Sequence, residues 1–231
     1  MDLTPDAIIV FTVWGIPINA TIFNTWIVMG LLTGLSIVVT RNLRPDTPPN
    51  RWRTALEVII QGIQNQIQEI SRHPPGSLVY FVSTLFLFIA TCNLLEVVPG
   101  FDAPTASLST TTALALSVLI AVPMFGISNR GLRGYLKTYL EPSPIMLPFN
   151  IIGEISHGLS LAIRLYGNIM SGAVIAVILL SVAPFFFPVL MDLLGLLTGL
   201  IQAYIFAILA TVYISAAISD SDETQNGKEQ T

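Results

Sequence analysis

The sequence predicts an all-α integral membrane protein that forms a single membrane domain over residues 1–231. Hydrophobic residues make up 53% of the chain and charged residues only 10%, whereas a soluble domain normally carries about 25% charged residues. Five apolar segments are long enough to cross a hydrocarbon core of roughly 30 Å, which needs about 20 helical residues. No internal repeat, low-complexity tract or polar linker marks a second domain.

The order of apolar and polar stretches gives the predicted elements. They are an outer N-terminal segment, a first crossing, a surface helix, two further crossings, two long tilted helices and a cytoplasmic tail. Their residues are, in that order, 1–22, 23–40, 51–73, 77–98, 110–127, 145–181, 184–218 and 219–231. This order gives about five membrane-spanning segments and one helix that does not cross.

The first crossing, residues 23–40, is also the predicted insertion signal. No basic residue precedes Arg41, so the N-terminus lacks the charged region of a cleaved signal peptide. We therefore expect this segment to stay in the membrane.

Basic residues determine the predicted orientation because they alternate between the connections. They follow the first crossing, the third crossing and the last long helix: Arg41, Arg44, Arg51, Arg53 and Arg72, then Arg130, Arg133 and Lys137, then Lys228. The N-terminal stretch, residues 99–109 and residues 182–187 contain none. By the positive-inside rule, the N-terminus lies outside and the C-terminus lies in the cytoplasm or its topological equivalent.

Residues 51–73 are predicted to form an amphipathic helix along the cytoplasmic membrane surface. Apolar residues recur there at helical spacing, and polar residues cover the other side: Trp52, Leu56, Ile59, Ile63, Ile67 and Ile70 against Arg53, Glu57, Gln61, Gln64 and Gln68. A soluble helix packed on a partner subunit is the alternative interpretation of this pattern.

The last two apolar segments are too long for simple crossings. Residues 145–181 would span roughly 55 Å as a helix, and residues 184–218 have a similar length. They must tilt, bend or lie partly along the membrane. The uncharged "VAPFFFP" stretch between them predicts a slanted hairpin whose open face packs against something else.

One arginine, Arg164, lies in the middle of the first long helix. At about 100° per residue, the polar residues within about 40° of it around the helix are His157, Ser160, Asn168 and Ser171. A charge at the bilayer centre costs about 2.5 to 3.5 kcal/mol even on the mildest scale. The stripe should therefore face a partner or a watery cavity. Glu154 lies about 15 Å away along the helix, too far to neutralise the charge.

The second long helix supplies a polar companion for this arginine. Arg164 precedes the turn by about 20 residues and Gln202 follows it by about 18, so antiparallel packing sets them at nearly the same depth. An amide hydrogen-bonds a guanidinium without neutralising it. We expect Gln202 to position the charge of Arg164 and leave it available.

Several function classes have no support in the sequence. There is no basic patch for nucleic acid and no Gly-rich phosphate loop followed by Lys and Ser or Thr. We expect no cofactor and no resident metal ion. An independent ion channel or secondary transporter is the alternative function, although the pore repeats and inverted halves typical of those classes are not evident.

Several stretches resemble subunit a of rotary F-type ATP synthases. "LSLAIRLYGNIMSG" is similar to the arginine-bearing helix of that family, and "LIQAYIFAILATVYIS" to its final helix. "CNLLEVVPG", "PTASLSTTTALAL" and "PSPIMLPFNIIGEIS" add weaker similarity. The resemblance implies two long tilted helices packed against a rotor ring of c subunits. It also implies b-type peripheral stalk subunits, the other synthase subunits and membrane lipids as partners, in a bacterial plasma membrane or another energy-coupling membrane.

The resemblance implies a role for each matching position. Arg164 is the stator arginine that faces the rotor carboxylates, between two offset half-channels for protons or sodium ions. The outer half-channel positions are Asn93, Glu96, Asn168 and Gln202, and the inner ones are Glu154, Ser156 and His157.

Three positions depart from the family pattern. Ala173 or a neighbour and Gly195 stand where the family commonly carries an ionisable residue or its complement, and Ser107 stands where many members have Asp. Asp192 is a candidate replacement acid for the outer path. Because sodium moves through oxygen-lined passages without a chain of titrating groups, these departures leave both protons and sodium open as the transported ion.

Overall fold

The computed structural model describes residues 9–13, 16–40, 51–70, 76–98, 100–140, 145–182 and 187–219. The described part of the chain is mainly helical, with one short hairpin near the N-terminus. The strands are β1 Ile9–Val13 and β2 Ile16–Asn19, and the helices are α1 Ala20–Thr40, α2 Arg51–Ile70, α3 Gly76–Leu95, α4 Leu108–Leu140, α5 Met146–Val182 and α6 Phe187–Ser219. A 3-10 turn, Pro104–Ala106, precedes α4.

The predicted fold class, an all-α membrane protein, is confirmed. Among the described residues, 5 helices are long and apolar enough to cross a membrane. Their spans are Ala20–Val38, Gly76–Leu95, Leu108–Asn129, Leu147–Leu179 and Leu193–Ile218. Helix α2 is amphipathic and is not one of them.

Two features near the ends of elements were not predicted. Strands β1 and β2 pair antiparallel, with Val13 opposite Ile16, inside the segment predicted only as an outer N-terminus. Isoleucine, valine and threonine favour extended backbone, which explains the strands locally. The predicted crossing 110–127 belongs to a longer helical stretch, because α4 continues to Leu140.

The core lies where α3, α4, α5 and α6 meet. Each helix contributes buried apolar side chains to one cluster: Leu85 and Ile89, Ala115 and Val118, Leu161, Ala162, Leu165 and Ile169, and Ala203, Phe206 and Ala210. Helix α1 lies at the edge of this bundle, where Asn24 Nδ2 donates a hydrogen bond to the Asp102 carbonyl oxygen at 2.8 Å. The four-helix core therefore determines how α5 and α6 present their remaining faces.

Helix α2 packs against this bundle through the C-terminal part of its apolar face. Ile67 is 1% exposed and belongs to a second cluster with residues of α3, α4 and α6, among them Val82, Val122 and Ile214. Nearer its N-terminus, Val58 remains exposed. Of the predicted helix 51–73 the structure describes Arg51–Ile70, and residues 71–75 lie outside the described part.

Helix α4 is broken at Gly131, which has φ 73° and ψ 162°. This positive φ is a conformation that glycine adopts without a steric penalty. An unbroken helix would separate Gly126 and Tyr135 by about 13 Å along its axis. Here the Tyr135 ring lies so close to Gly126 that an added Cβ would meet its Cε2 atom at 2.5 Å. The break thus folds the last part of α4, the Tyr135 arm (residues 132–136), back toward the bundle.

We predict that Gly126→Ala destabilises the chain by about 1–3 kcal/mol, because the new methyl group would overlap the Tyr135 ring. Gly30→Ala is the matched control, since nothing lies within 4 Å of the Cβ it would add. Thermal unfolding of both variants in the same detergent measures the difference. Equal stability of the two variants would contradict the close contact between Gly126 and Tyr135.

Candidate functional site

Arg164 lies on the side of α5 that turns away from the four-helix core. Its neighbours Leu161 and Leu165 are 1% and 0% exposed within that core, whereas Arg164 itself is exposed. No hydrogen bond or ion pair joins Arg164 to another side chain in the described ranges. A charged guanidinium is therefore presented at the bundle surface, midway along a helix that is apolar enough to span a membrane.

The polar stripe predicted around Arg164 lies on this same open side. His157, Ser160 and Ser171 are exposed, and Asn168 is half-buried. Apolar residues on the opposite side of α5 fill the core, whereas its outward side carries this polar stripe next to exposed apolar residues such as Leu159 and Ile163. The outward face is available to a partner.

A cavity of about 240 Å³ opens between α3, α5 and α6, on the side of Arg164 toward the C-terminus of α5. Polar side chains from all three helices line it: Asn93 and Glu96, Asn168 and Ser171, and Thr198. The structure thus brings together three of the predicted outer-path residues. Gly195, one of the departures from the family pattern, also lines this cavity, and the side chain of Ala173 lies outside the described part.

Asn93 is held in a fully buried hydrogen-bond chain beside the cavity. Thr105 Oγ1 donates to Asn93 Oδ1 at 3.2 Å, and Asn93 Nδ2 donates to the Gly199 carbonyl oxygen at 2.7 Å. The absence of a side chain at Gly199 permits this contact, because an added Cβ would lie 3.0 Å from the Asn93 side chain. Sequence reasoning missed Thr105, whose only signal was its place in the "PTASLSTTT" stretch.

Gln202 is 6% exposed, and its buried Nε2 has no hydrogen-bond partner in the described structure. An orphaned buried amide donor costs about 1–3 kcal/mol, so this position suits a site where water or another polar group arrives. The predicted hydrogen bond between Gln202 and Arg164 is not formed among the described residues. The reason is rotational, since Gln202 turns into the bundle while Arg164 turns out of it.

Arg164 and Gln202 nevertheless lie at similar levels along the antiparallel pair of helices α5 and α6. His157 on α5 stacks on Tyr213 on α6, which gives the antiparallel register of the two helices. Arg164 follows His157 by seven residues, and Gln202 precedes Tyr213 by eleven. The two levels therefore differ by about one helical turn.

Two other predicted outer-path residues, Gln202 and Ser107, do not line the cavity. Ser107 is 0% exposed and caps α4: its Oγ accepts the Ser109 backbone N–H at 3.2 Å, and its carbonyl accepts the Thr111 N–H at 3.1 Å. This capping role accounts for a serine at that position. Asp192 lies in α6, and its side chain is outside the described part.

The predicted inner-path residues lie on the other side of Arg164, toward the N-terminus of α5. The Tyr135 hydroxyl donates a long hydrogen bond of 3.4 Å to Glu154 Oε1. The His157 and Tyr213 rings stack with centroids 4.5 Å apart and planes at 5°. Ser156 is exposed. Sequence reasoning identified none of these tyrosine contacts, which arise only when α4 and α6 meet α5.

Two separate polar regions lie on either side of the positive charge of Arg164 along α5. One region is the cavity beside Asn93 and Asn168, and the other surrounds Glu154 and His157. A guanidinium remains protonated at any relevant pH, so Arg164 repels a cation that would pass directly from one region to the other. Within the described ranges, no group of three or more His, Cys, Asp or Glu side chains is placed to hold a metal ion.

Comparisons with known proteins agree on one family. The sequence model of the ATP synthase A chain family matches residues 22–215. ATP synthase subunit a 2 of Acaryochloris marina is 59% identical over 218 residues, covering 94% of this chain and 93% of the relative. ATP synthase subunit a 1 of Chlorobaculum parvum is 55% identical, covering 94% and 96%. ATP synthase subunit a of Albidiferax ferrireducens is 53% identical, covering 94% of each.

We predict that Thr105→Val lowers the free energy of unfolding by about 1–3 kcal/mol, because it leaves Asn93 Oδ1 buried without its donor at nearly constant volume. Thr105→Ser keeps a hydroxyl and serves as the matched control. Thermal unfolding in detergent measures both variants. If valine and serine have the same effect, the hydroxyl does not hold Asn93.

Proposed function

The chain belongs to the ATP synthase A chain family, and on that premise we propose that Arg164 is the stator charge facing the carboxylates of a rotor ring. The chain is a subunit a of an ATP synthase, the ion-translocating part of the membrane sector. The proposed mechanism carries protons or sodium ions through two half-channels to and from the ring. Ion flow then drives rotation and ATP synthesis by the remaining subunits, while this chain is itself non-catalytic.

The observation that carries the proposal is the exposure of an uncompensated Arg164 on the outward face of α5. A charge at this depth is costly in lipid, so it requires a counter-ion from another subunit. A carboxylate arriving on a rotor subunit supplies that charge. Pairing with the guanidinium favours the ionised carboxylate and so releases the proton or sodium ion that the carboxylate carried.

The cavity between α3, α5 and α6 supports an outer half-channel that ends near Arg164. Its volume of about 240 Å³ accommodates several water molecules, since each occupies about 30 Å³ in the liquid. Glu96 attracts cations to it, and the side chains of Asn168 and Thr198 supply ligating oxygens, while the buried Asn93 amide is engaged by Thr105 and Gly199. Beyond it, the unpaired Nε2 of Gln202 gives a further polar group toward Arg164.

The same lining explains why two ions fit the proposal. Glu96 is the one ionisable side chain among the described residues of the cavity, so no relay of titrating groups is present there. Hydrated sodium passes between oxygen ligands, and protons pass along water molecules. The choice between the two ions is made at the carboxylate of the rotor subunit.

The inner half-channel is assigned to the opposite end of α5. Glu154, Ser156 and His157 lie there, on the proposed cytoplasmic side of Arg164. The outward N-terminus and the cytoplasmic C-terminus follow from the distribution of basic residues. The proposed partners are the c ring, which covers the Arg164 face, and b-type peripheral stalk subunits that hold the chain against rotation. The proposed location is a bacterial plasma membrane or another energy-coupling membrane.

We predict that Arg164→Gln and Arg164→Ala abolish ATP synthesis driven by an imposed ion gradient, because neither keeps the positive charge. Arg164→Lys should also be severely impaired, since a compact ammonium lacks the planar fork of the guanidinium. Synthesis is measured in vesicles holding the whole complex, with sodium and pH gradients applied separately. The gradient that drives the unaltered complex identifies the ion.

The matched control is Ser160→Ala, one turn away on the same exposed face. It should retain synthesis because it changes no charge. The amounts of this chain and of the ring are compared in each preparation, so that lost assembly is separated from lost coupling. Near-normal synthesis by Arg164→Gln would remove Arg164 from the mechanism.

We predict that single cysteines at Glu96, Asn168 and Ser171 react with an impermeant thiol reagent added outside, and that cysteine at Ser156 reacts only from the cytoplasm. The first three positions line the cavity, and Ser156 is exposed at the other end of α5. The native Cys92 is 0% exposed and provides an internal unreactive control. Labelling from the reverse sides would contradict the orientation.

A further inference from the structure

Two tyrosines from different helices contact the titratable side chains on the inner side of Arg164. Tyr135 from α4 meets Glu154, and Tyr213 from α6 meets His157. We propose that Tyr135 and Tyr213 are positioning residues that hold these two side chains at the cytoplasmic opening of the ion path. This inference rests on the proposed function, because it assigns the supports of the inner half-channel.

The stack between His157 and Tyr213 fixes an otherwise exposed ring. His157 is exposed on α5, and an imidazole at such a position samples several rotamers when nothing covers it. A centroid distance of 4.5 Å and an angle of 5° place the Tyr213 ring flat against it. Because His157 lies within about 20° of Arg164 around the helix, the stack sets where the imidazole lies below the charge.

Tyr135 reaches Glu154 only because α4 is broken. The positive φ of 73° at Gly131 turns the Tyr135 arm back, and the absence of a side chain at Gly126 leaves room for the ring. Tyr135 is 8% exposed, so its ring is enclosed while its hydroxyl faces the carboxylate of Glu154. The enclosed ring has little freedom to move. Its hydroxyl therefore restricts the positions that this carboxylate can take.

Together the two contacts join three helices around the inner path. Glu154 and His157 are three residues apart, which places them as neighbours on α5. Tyr135 on α4 restrains Glu154, and Tyr213 on α6 restrains His157. An ion leaving the rotor carboxylate then meets a carboxylate and an imidazole in set positions, and small shifts between α5 and α6 disturb that geometry.

A double-mutant experiment in whole-complex vesicles tests the Tyr213 contact. We expect Tyr213→Leu to lower ion-driven ATP synthesis by at least about threefold, and Tyr213→Phe, which keeps the aromatic face, to restore at least half of the rate. His157→Gln should lower the rate as well. The double variant Tyr213→Leu with His157→Gln should be no slower than His157→Gln alone, because Tyr213 acts through His157.

The matched control is Tyr204→Leu on the same helix. Its hydroxyl donates to Gln66 Oε1 on α2 at 3.1 Å, away from the inner path, so synthesis should be unchanged when assembly is equal. If the fractional losses of synthesis in Tyr213→Leu and His157→Gln multiply in the double variant, Tyr213 has a general packing role and the inference is overturned. An equal loss in Tyr213→Phe and Tyr213→Leu would overturn the stacking argument.

Tyr135→Phe provides an independent arm that removes one hydroxyl and keeps the ring. We expect it to slow synthesis at least about twofold with Glu154 present and to have no effect in a Glu154→Gln background. Equal effects in both backgrounds would overturn the Tyr135 assignment. Arg164→Gln is measured in parallel. If Arg164→Gln retains synthesis, the proposed function is wrong. If Arg164→Gln is inactive but the losses of the tyrosine variants multiply with those of their partners, only this inference is wrong.

Discussion

The need to satisfy one positive charge inside an apolar helix organises the structure. Arg164 would be costly in lipid, and the described part of the chain offers it no ion pair. Packing places the apolar side of α5 against α4 and α6, which leaves the guanidinium outward. The polar groups on either side of it along α5 then form two separate regions. Burying Arg164 within the four-helix core would have placed a charge in an apolar interior without an ion pair.

Two sets of contacts join α6 to its neighbours beside the open face. The chain Thr105, Asn93 and Gly199 fastens α3 to α6 beside the cavity, and the stack of His157 on Tyr213 fastens α5 to α6 at the other end. These contacts lie on opposite sides of Arg164, and neither involves its guanidinium; His157 is about 10 Å from Arg164 along α5. Arg164 therefore projects from a helix that is joined to α6, and α6 is joined in turn to α3.

The sequence predicted the helices well because hydropathy and length are local properties. It also identified Arg164 and its polar stripe, since angles around one helix follow directly from residue spacing. Contacts between helices were harder to predict from the sequence. The distance of each residue from the turn correctly predicted that Gln202 lies at nearly the depth of Arg164. It did not predict the direction of the side chain, because spacing along the chain does not determine how α6 is rotated about its axis. In the structure that rotation turns the Gln202 amide into the bundle. Tyr135 and Tyr213 depend on a backbone break at Gly131 and on three-helix packing, neither of which leaves a periodic signal.

The outward position of Arg164 has a consequence for biogenesis. A newly inserted chain would hold this charge against lipid until its partner arrives, at a cost of about 2.5 to 3.5 kcal/mol on the mildest scale. The unassembled chain is therefore less stable in the bilayer than the assembled one, and snorkelling or local water entry must relieve the difference. A cell that makes this chain in excess would hold a population open to membrane proteases. The exposed charge of Arg164 thus also marks a chain that has not yet assembled with the other subunits.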